Sequence, residues 1–259
     1  MKEYLDFAIS IAHFAGKEML EYFNNEKDIS FKSDNTVVTK IDKDINHYLI
    51  EEVHKTYPDH SVIGEEEKSI KESSYVWVCD PVDGTGMYTN QIPVSVFSLA
   101  LVIDGEPNIA VVYDPYLDKM YTAIKGEGAF CNGKRIHVNG LDFGDKGYRL
   151  NFEMWNKAFV DTMQIAHDNM SSVKISSIGS VARSCMAIAS GLFSADLFPG
   201  CEHGNCDMAA SYLIVTEAGG KVTDMYGNEQ RYDEDIKGAI VSNGVSHKKL
   251  VEIVSKYMK

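Results

Sequence analysis

Apolar residues return every three or four positions near the start of the chain, at Leu5, Ala8, Ala12, Ala15, Met19 and Phe23. That period predicts an amphipathic helix over residues 3–23. Ile45, Leu49 and Val53 predict a second helix from about Asp42 to Lys55, with Thr39 as its cap and Asp42 near its positive end. The pattern then shortens to runs of strand length. Val76–Cys79 predicts a short strand, and Pro93–Ile103 and Asn108–Tyr113 predict successive strands around an Asp104–Gly105 turn. Met120–Ile124 extends the sheet, and Asn132–Gly133 marks a turn between strands at 129–130 and 136–138. Residues 141–174 carry the weakest pattern; a helix at Asn156–Asn169 and a strand at Val173–Ser176 are expected there. A helix at Ser180–Ser190 ends near Gly191, and a strand follows at Ser194–Phe198. The next helix, with Asn205 as its cap, stops at Gly219–Gly220, and a last helix spans His247–Tyr257. Strands and helices mix without a regular βαβ alternation, so the residues point to α/β or α+β. There are no repeats, low-complexity tracts or evident linkers.

At 259 residues the chain can bury a sizeable core, as one domain over 1–259 or as two closely packed halves dividing near 140. A net charge of −13 argues against nucleic acid or an anionic membrane as partner. It leaves a phosphorylated substrate open, because bound divalent cations invert the local potential. The start lacks the basic-then-apolar layout of a signal peptide, and no run is long enough to span a bilayer; a cytoplasmic protein is expected. Five cysteines show no dense disulfide pattern, and Cys201–Cys206 is a weak zinc motif with a single nearby histidine.

The chemistry concentrates in WVCDPVDGTG, Trp77–Gly86. Asp80 and Asp83 would face opposite sides of a regular strand, but Pro81 and Gly84 favour a turn that converges them, with the Val82 carbonyl as a further oxygen. Oxygen ligands of this kind suit hard divalent cations. Alone, the segment is equally an ordinary Asp-Pro-x-Asp-Gly turn, the Glu65–Glu67 run a solvated face, and Asp207 a helix-stabilising first-turn acid.

Three blocks in order, GEE at Gly64–Glu66, DPVDGT at Asp80–Thr85 and CDMAASYLIVTEAGG at Cys206–Gly220, resemble the inositol monophosphatase family of magnesium-dependent phosphatases. VVTKIDKDI and KMYTAIKGEGAFCNGKRI extend the resemblance to nearly the whole chain, most weakly from Leu141 to Lys174. It implies an α+β fold layered α-β-α-β-α. It also implies two or three Mg2+ ions per site: one on Glu65, Asp80 and the Val82 carbonyl, a second on Asp80, Asp83 and Asp207, and a weaker third near Glu65. Glu65 would position the attacking water. Thr85 would orient that water, and Asp42 would hold Thr85. Substrate would be contacted by Asp83, Gly84, Thr85, Gly179, Ser180 and Asp207. A homodimer is implied as well.

The expected reaction is hydrolysis of a small phosphomonoester, a phosphorylated polyol such as inositol monophosphate or a sugar phosphate. Two departures bear on the substrate. Gly86, Met87 and Tyr88 differ from the usual residues after GT, and Gly200 stands where the family carries an inositol-recognising glutamate. Glu202 is the nearby candidate for that contact. Arg183 could reach a phosphate or form a structural ion pair. The enzymatic alternative is a fructose-1,6-bisphosphatase or a 3′-phosphoadenosine-type nucleotidase. The non-enzymatic one is a metal- or phosphate-binding regulatory protein, which would bind without turnover.

Overall fold

The computed structural model describes residues 1–23, 25, 29–31, 37–153, 160–200 and 203–258. The helices are α1 (Lys2–Phe23), α2 (Lys40–Thr56), α3 (Thr85–Thr89), α4 (Thr162–Asn169), α5 (Val181–Ala189), α6 (Gly204–Glu217) and α7 (His247–Val254). The strands are β1 (Ile29–Phe31), β2 (Val37–Thr39), β3 (Ser61–Gly64), β4 (Lys68–Ser69), β5 (Tyr75–Asp83), β6 (Val96–Ile103), β7 (Glu106–Asp114) and β8 (Lys119–Ile124). After these come β9 (Gly128–Cys131), β10 (Lys134–Arg135), β11 (Arg149–Phe152), β12 (Lys174–Ser176), β13 (Ala195–Phe198), β14 (Lys221–Thr223) and β15 (Ala239–Ser242).

Strands β10-β9-β8-β7-β6-β5-β3-β4 form an eight-stranded sheet, antiparallel throughout except at β3–β5. A five-stranded sheet runs β12-β11-β13-β15-β14, parallel around β11 and antiparallel around β15. Alternation along β5 and β6 splits the core. Trp77, Cys79, Phe97, Leu99 and Leu101 face α1 and α2, where they meet Ala8, Ile11, Ile45 and Leu49. Val76, Val78, Ala100, Val102, Ala110 and Ala123 face α5 and α6. The small residues on that face leave room for α6, which is buried nearly all round and also packs on β14 and β15. The outer face of the second sheet joins Leu150, Leu197 and Ile240 to Ile165 of α4 and to Leu250 and Ile253 of α7. The layers are therefore α-β-α-β-α.

Most predicted elements are present. Asp104 and Gly105 both take positive φ (54° and 90°), as do Asn132 and Gly133 (47° and 74°), the backbone that a tight hairpin needs. Differences have local causes. β5 does not stop at Cys79 but runs on to Asp83, because its partner β6 continues the ladder past the proline. The strand after Asn132–Gly133 is Lys134–Arg135, directly across the turn, rather than 136–138. β6 begins at Val96 rather than Pro93, and the last helix ends at Val254. Asn205 does not cap α6: His203 holds that position, and the Asn205 side chain donates to the Tyr232 carbonyl at 3.3 Å. The expected helix at Asn156–Asn169 is described from Thr162, its first residues lying outside the described ones. β11 and β15 carried no clear pattern, because short strands buried on both faces lack alternation.

Leu99 lies on β6 and is fully buried against α1 and α2. Leu99→Ala is expected to cost about 2–5 kcal/mol, from lost burial plus the cavity left behind. Urea unfolding of the two proteins checks this; a midpoint unchanged from wild type would contradict the packing described.

Candidate active site

Asp80 pairs with Ser98 and Asp83 with Val96, so three steps on β5 oppose two on β6. The additional residue is a β-bulge. On an unbroken strand Asp83 would share a face with Trp77 and Cys79, turned toward α1 and α2. Past the bulge it is Val82 that joins that cluster, and Asp83 turns with Asp80 toward α5 and α6. A bulged strand, not a free turn, converges the two carboxylates.

Asp83 is bound to the start of α5. It accepts from the Ser180 hydroxyl at 2.7 Å and from the Ala182 and Val181 amides at 2.6 and 3.2 Å. Ser180 is also the helix cap, accepting from the Arg183 amide at 3.2 Å. Gly84 follows with φ 92°, and a Cβ there would lie 2.9 Å from the Gly179 carbonyl, so this close approach requires glycine. Asp207 enters from the first turn of α6. Asp80, Asp83 and Asp207 place one carboxylate oxygen each within 4.8 Å of one another. Asp80 also accepts from the Val82 amide at 2.9 Å, and the Ser98 hydroxyl opposite it is buried without a partner.

Glu65 sits just beyond β3, its amide bonded to the Cys79 carbonyl at 3.1 Å. The loop behind it is held by Asn46 of α2, fully buried, which accepts from the Glu66 and Glu67 amides and donates to the Glu67 carbonyl. Asp42, also fully buried, accepts from the Thr39 amide at 2.9 Å and from the Thr39 hydroxyl. The Thr85 hydroxyl lies 3.0 Å from both Asp42 Oδ1 and the Val82 carbonyl, to which it donates.

Burial is the first cause of every carboxyl shift here. It pushes Asp80 well above the usual range, with Glu65, Asp83 and Asp207 adding repulsion. Asp83 is pushed up to about 6 by burial, against the hydrogen bonds from Ser180, Ala182 and Val181. Asp42 is pushed up to about 7 by burial, opposed by the bonds from Thr39 and reinforced by Glu65 and Glu66. A site this rich in crowded carboxyls fits hard divalent cations, which relieve both desolvation and repulsion.

Of the expected site residues, the structure brings together Asp80, Val82, Asp83, Gly84, Thr85, Asp42, Gly179, Ser180 and Asp207, with Glu65 beside them at the end of β3. Glu202 lies outside the described residues. Gly200 has φ 86°, and a Cβ there would run into the Lys237–Gly238 backbone, so that position accepts no side chain. Gly86 faces open space, so its lack of a side chain is no steric requirement. Arg183 forms an ion pair with the buried Asp114 and is structural. Of the weak zinc motif, Cys206 is buried and contacts the Ile63 carbonyl, and Cys201 lies outside the described residues.

Sequence reasoning missed a buried acid pair behind α5. Asn151 on β11 donates to Glu153 at 2.8 Å and to Asp196 at 3.1 Å, and Ser184 of α5 donates to Asp196. Burial raises both acids; Asp196, and then Asp83 and Asp207, add repulsion at Glu153, and Asp83 adds it at Asp196. An Asn-x-Glu at a strand end and an Asp on a separate strand give no sequence signal of this meeting.

The inositol monophosphatase family model matches residues 1–259. The chain is 32% identical over 257 residues to inositol monophosphatase 1 of Mus musculus, covering 95% of this chain and 91% of that one. It is 31% identical over 264 residues to the fructose-1,6-bisphosphatase/inositol-1-monophosphatase of Thermotoga maritima, covering 98% and 97%. The solved structure of a Thermotoga maritima IMPase superposes with a TM-score of 0.88 at 28% identity, covering 98% of this chain and 97% of that one.

A buried acid with a raised folded pKa binds a proton that the unfolded chain has already released. Its stabilising contribution is therefore complete below the unfolded value near 4 and is lost as pH rises through the folded value. For Asp42 the window runs from about 4 to about 7. The cation-free protein is expected to melt at lower temperature at pH 8 than at pH 5, and Asp42→Asn to flatten part of that slope. Calorimetric melting curves at both pH values check this, and a divalent cation should raise the melting temperature more at pH 8.

Proposed function

The chain belongs to the inositol monophosphatase family of phosphoric monoester hydrolases, and from that membership we propose magnesium-dependent hydrolysis of a phosphorylated polyol, inositol monophosphate, or a sugar phosphate. The observation that carries the reading is the meeting of Asp80, Asp83 and Asp207 from two distant segments within 4.8 Å. On this reading Glu65, Asp80, the Val82 carbonyl, Asp83 and Asp207 hold two or three Mg2+ ions. When bound, such cations neutralise phosphoryl oxygens and acidify a nearby water.

The chain's own groups do the rest. The Thr85 hydrogen is directed to Asp42 and the Val82 carbonyl, so the free lone pairs of its oxygen accept a hydrogen bond from the attacking water and orient it. A proton leaving that water passes through the Thr85 hydroxyl toward Asp42, whose pKa of about 7 suits a proton acceptor at neutral pH. Glu65, whose charge reaches Asp42, holds the same water on this reading. The Gly84–Thr85 amides face the phosphate, and Asp83, with Ser180 and Gly179, orients the alcohol side. Gly200 offers no side chain, and Glu202, two residues on in sequence, is the candidate for recognising the polyol. The reading also takes residues 1–259 as one unit, a homodimer, in the cytoplasm; light scattering tests the assembly.

Phosphate release from a panel of inositol, sugar and nucleotide phosphates with Mg2+ tests the proposal. Asp80→Asn, Asp83→Asn and Asp207→Asn should each lower kcat/KM by at least about a hundredfold, the scale of losing a charge-stabilising group from a site, while circular dichroism stays native. Glu202→Ala should change the ranking of substrates and leave magnesium affinity intact. Full turnover in all three aspartate variants would remove the site, and binding without turnover in the wild type would favour the regulatory reading.

A further inference from the structure

One hydroxyl beside the carboxylate cluster is buried with nothing to bond. Ser98 is fully buried on β6, directly opposite Asp80 in the ladder, and its Oγ has no hydrogen-bond partner among the described residues. Its side chain points to the α5 and α6 face, since Phe97 and Leu99 on either side of it take the other face. Its neighbours on that face are Val96 and Ala100 along β6, Val112 across β7 and Asp80 across β5. Val96 in turn pairs with Asp83. The hydroxyl therefore stands in an otherwise apolar row, opposite one of the clustered aspartates and diagonal to another.

A buried hydroxyl without a partner is costly, whereas the same side chain without its oxygen is not. Alanine fills this face elsewhere, at Ala100, Ala110 and Ala123, so packing against α6 does not call for the oxygen. The one polar side chain among the neighbours of Ser98 is Asp80. Directly opposite residues on one face of an antiparallel pair have Cβ atoms about 4.5–5.5 Å apart, so rotation about the two χ1 bonds brings a serine hydroxyl and an aspartate carboxylate together. In the present structure Asp80 Oδ1 accepts instead from the Val82 amide, at 2.9 Å. Carboxylates that ligate metals are held in orientation by hydrogen-bond donors behind them. An ionised carboxylate has roughly four lone-pair positions, so one amide and the cations in front leave room for a second donor.

We propose that Ser98 is a positioning residue for the cation site: in the cation-loaded protein its hydroxyl donates to the Asp80 carboxylate and, with the Val82 amide, fixes how that carboxylate faces Asp83 and Asp207. The inference rests on the metal-dependent reading of the site and deepens it. Ser98 is fully buried and meets neither substrate nor the attacking water; it acts through Asp80. Removing its hydroxyl thus moves two quantities in opposite directions. It relieves an unpartnered group in the cation-free protein, and it loosens the hold on Asp80 in the cation-loaded one.

Calorimetric titration with Mg2+, and thermal melting with and without it, compare the wild type with Ser98→Ala, which deletes only the oxygen. Ser98→Ala is expected to raise the Mg2+ dissociation constant by about tenfold or more, the scale of losing a hydrogen bond to a metal-ligating carboxylate. Its melting temperature without cation should equal or exceed that of the wild type, and its rise on adding Mg2+ should be smaller. Equal Mg2+ affinity in the two proteins would overturn the role of Ser98 and leave the metal-dependent phosphatase intact. So would a lower cation-free melting temperature in Ser98→Ala, which marks the hydroxyl as a packing group. If the wild type itself takes up no Mg2+, the metal-dependent reading fails and this inference fails with it. If Mg2+ binds and no substrate is turned over, only the phosphatase reading fails, and the binding comparison still decides for or against Ser98.

Discussion

One additional residue between Asp80 and Asp83 decides which way the second carboxylate points. A regular strand would send Asp83 into the apolar layer under α1 and α2, where an ionised group has no partner and costs several kcal/mol to desolvate. The bulge in β5 instead turns Asp83 toward α5 and α6 and gives Val82 the apolar direction. From that reversal follow the meeting with Asp207, the capture of Asp83 by the start of α5, and the presentation of the Val82 carbonyl beside Thr85.

The reversal creates a second problem, since carboxylates brought this close repel each other. The fold offsets part of it with helix starts. Asp83 receives two amides and a hydroxyl from α5, and Asp207 occupies the first turn of α6, so both sit where peptide dipoles favour negative charge. Burial, with the remaining repulsion added to it, raises the carboxyl pKa values at Asp42, Asp80 and Asp83. A site poised in this way gains when cations enter, so the same crowding that weakens the cation-free fold provides affinity for them. The buried pair Glu153 and Asp196 lies on the far side of α5 and fastens that helix to the second sheet through Ser184. The orientation of Asp83 therefore depends on both sheets at once.

The long elements were legible because each has one apolar face. The three- and four-residue spacing in α1 and α2 and the strand-length runs in β6 to β8 record the first sheet and its outer helices directly. The motif residues Asp80, Asp83, Thr85 and Asp207 were legible through their resemblance to a family, not through their spacing, which by itself fits an ordinary turn. The bulge was not legible: DPVDGT reads as a turn until β6 is present to hold it in the ladder. Nor was the true start of α6, because nothing local marks His203, rather than Asn205, as the residue that takes a left-handed backbone.

The sequence by itself determined the class of elements, the outer helices, the tight Asp104–Gly105 and Asn132–Gly133 turns, and an acidic constellation suited to divalent cations. These rest on periodicity, turn preference and side-chain chemistry, all of which act over a few residues. Only the tertiary structure decided the facing of Asp83, the exclusion of any side chain from position 200, and the structural pairing of Arg183 with Asp114. Each of these joins segments far apart in the chain, and their relative placement is set by how β5, α5 and α6 pack together, which no local pattern encodes.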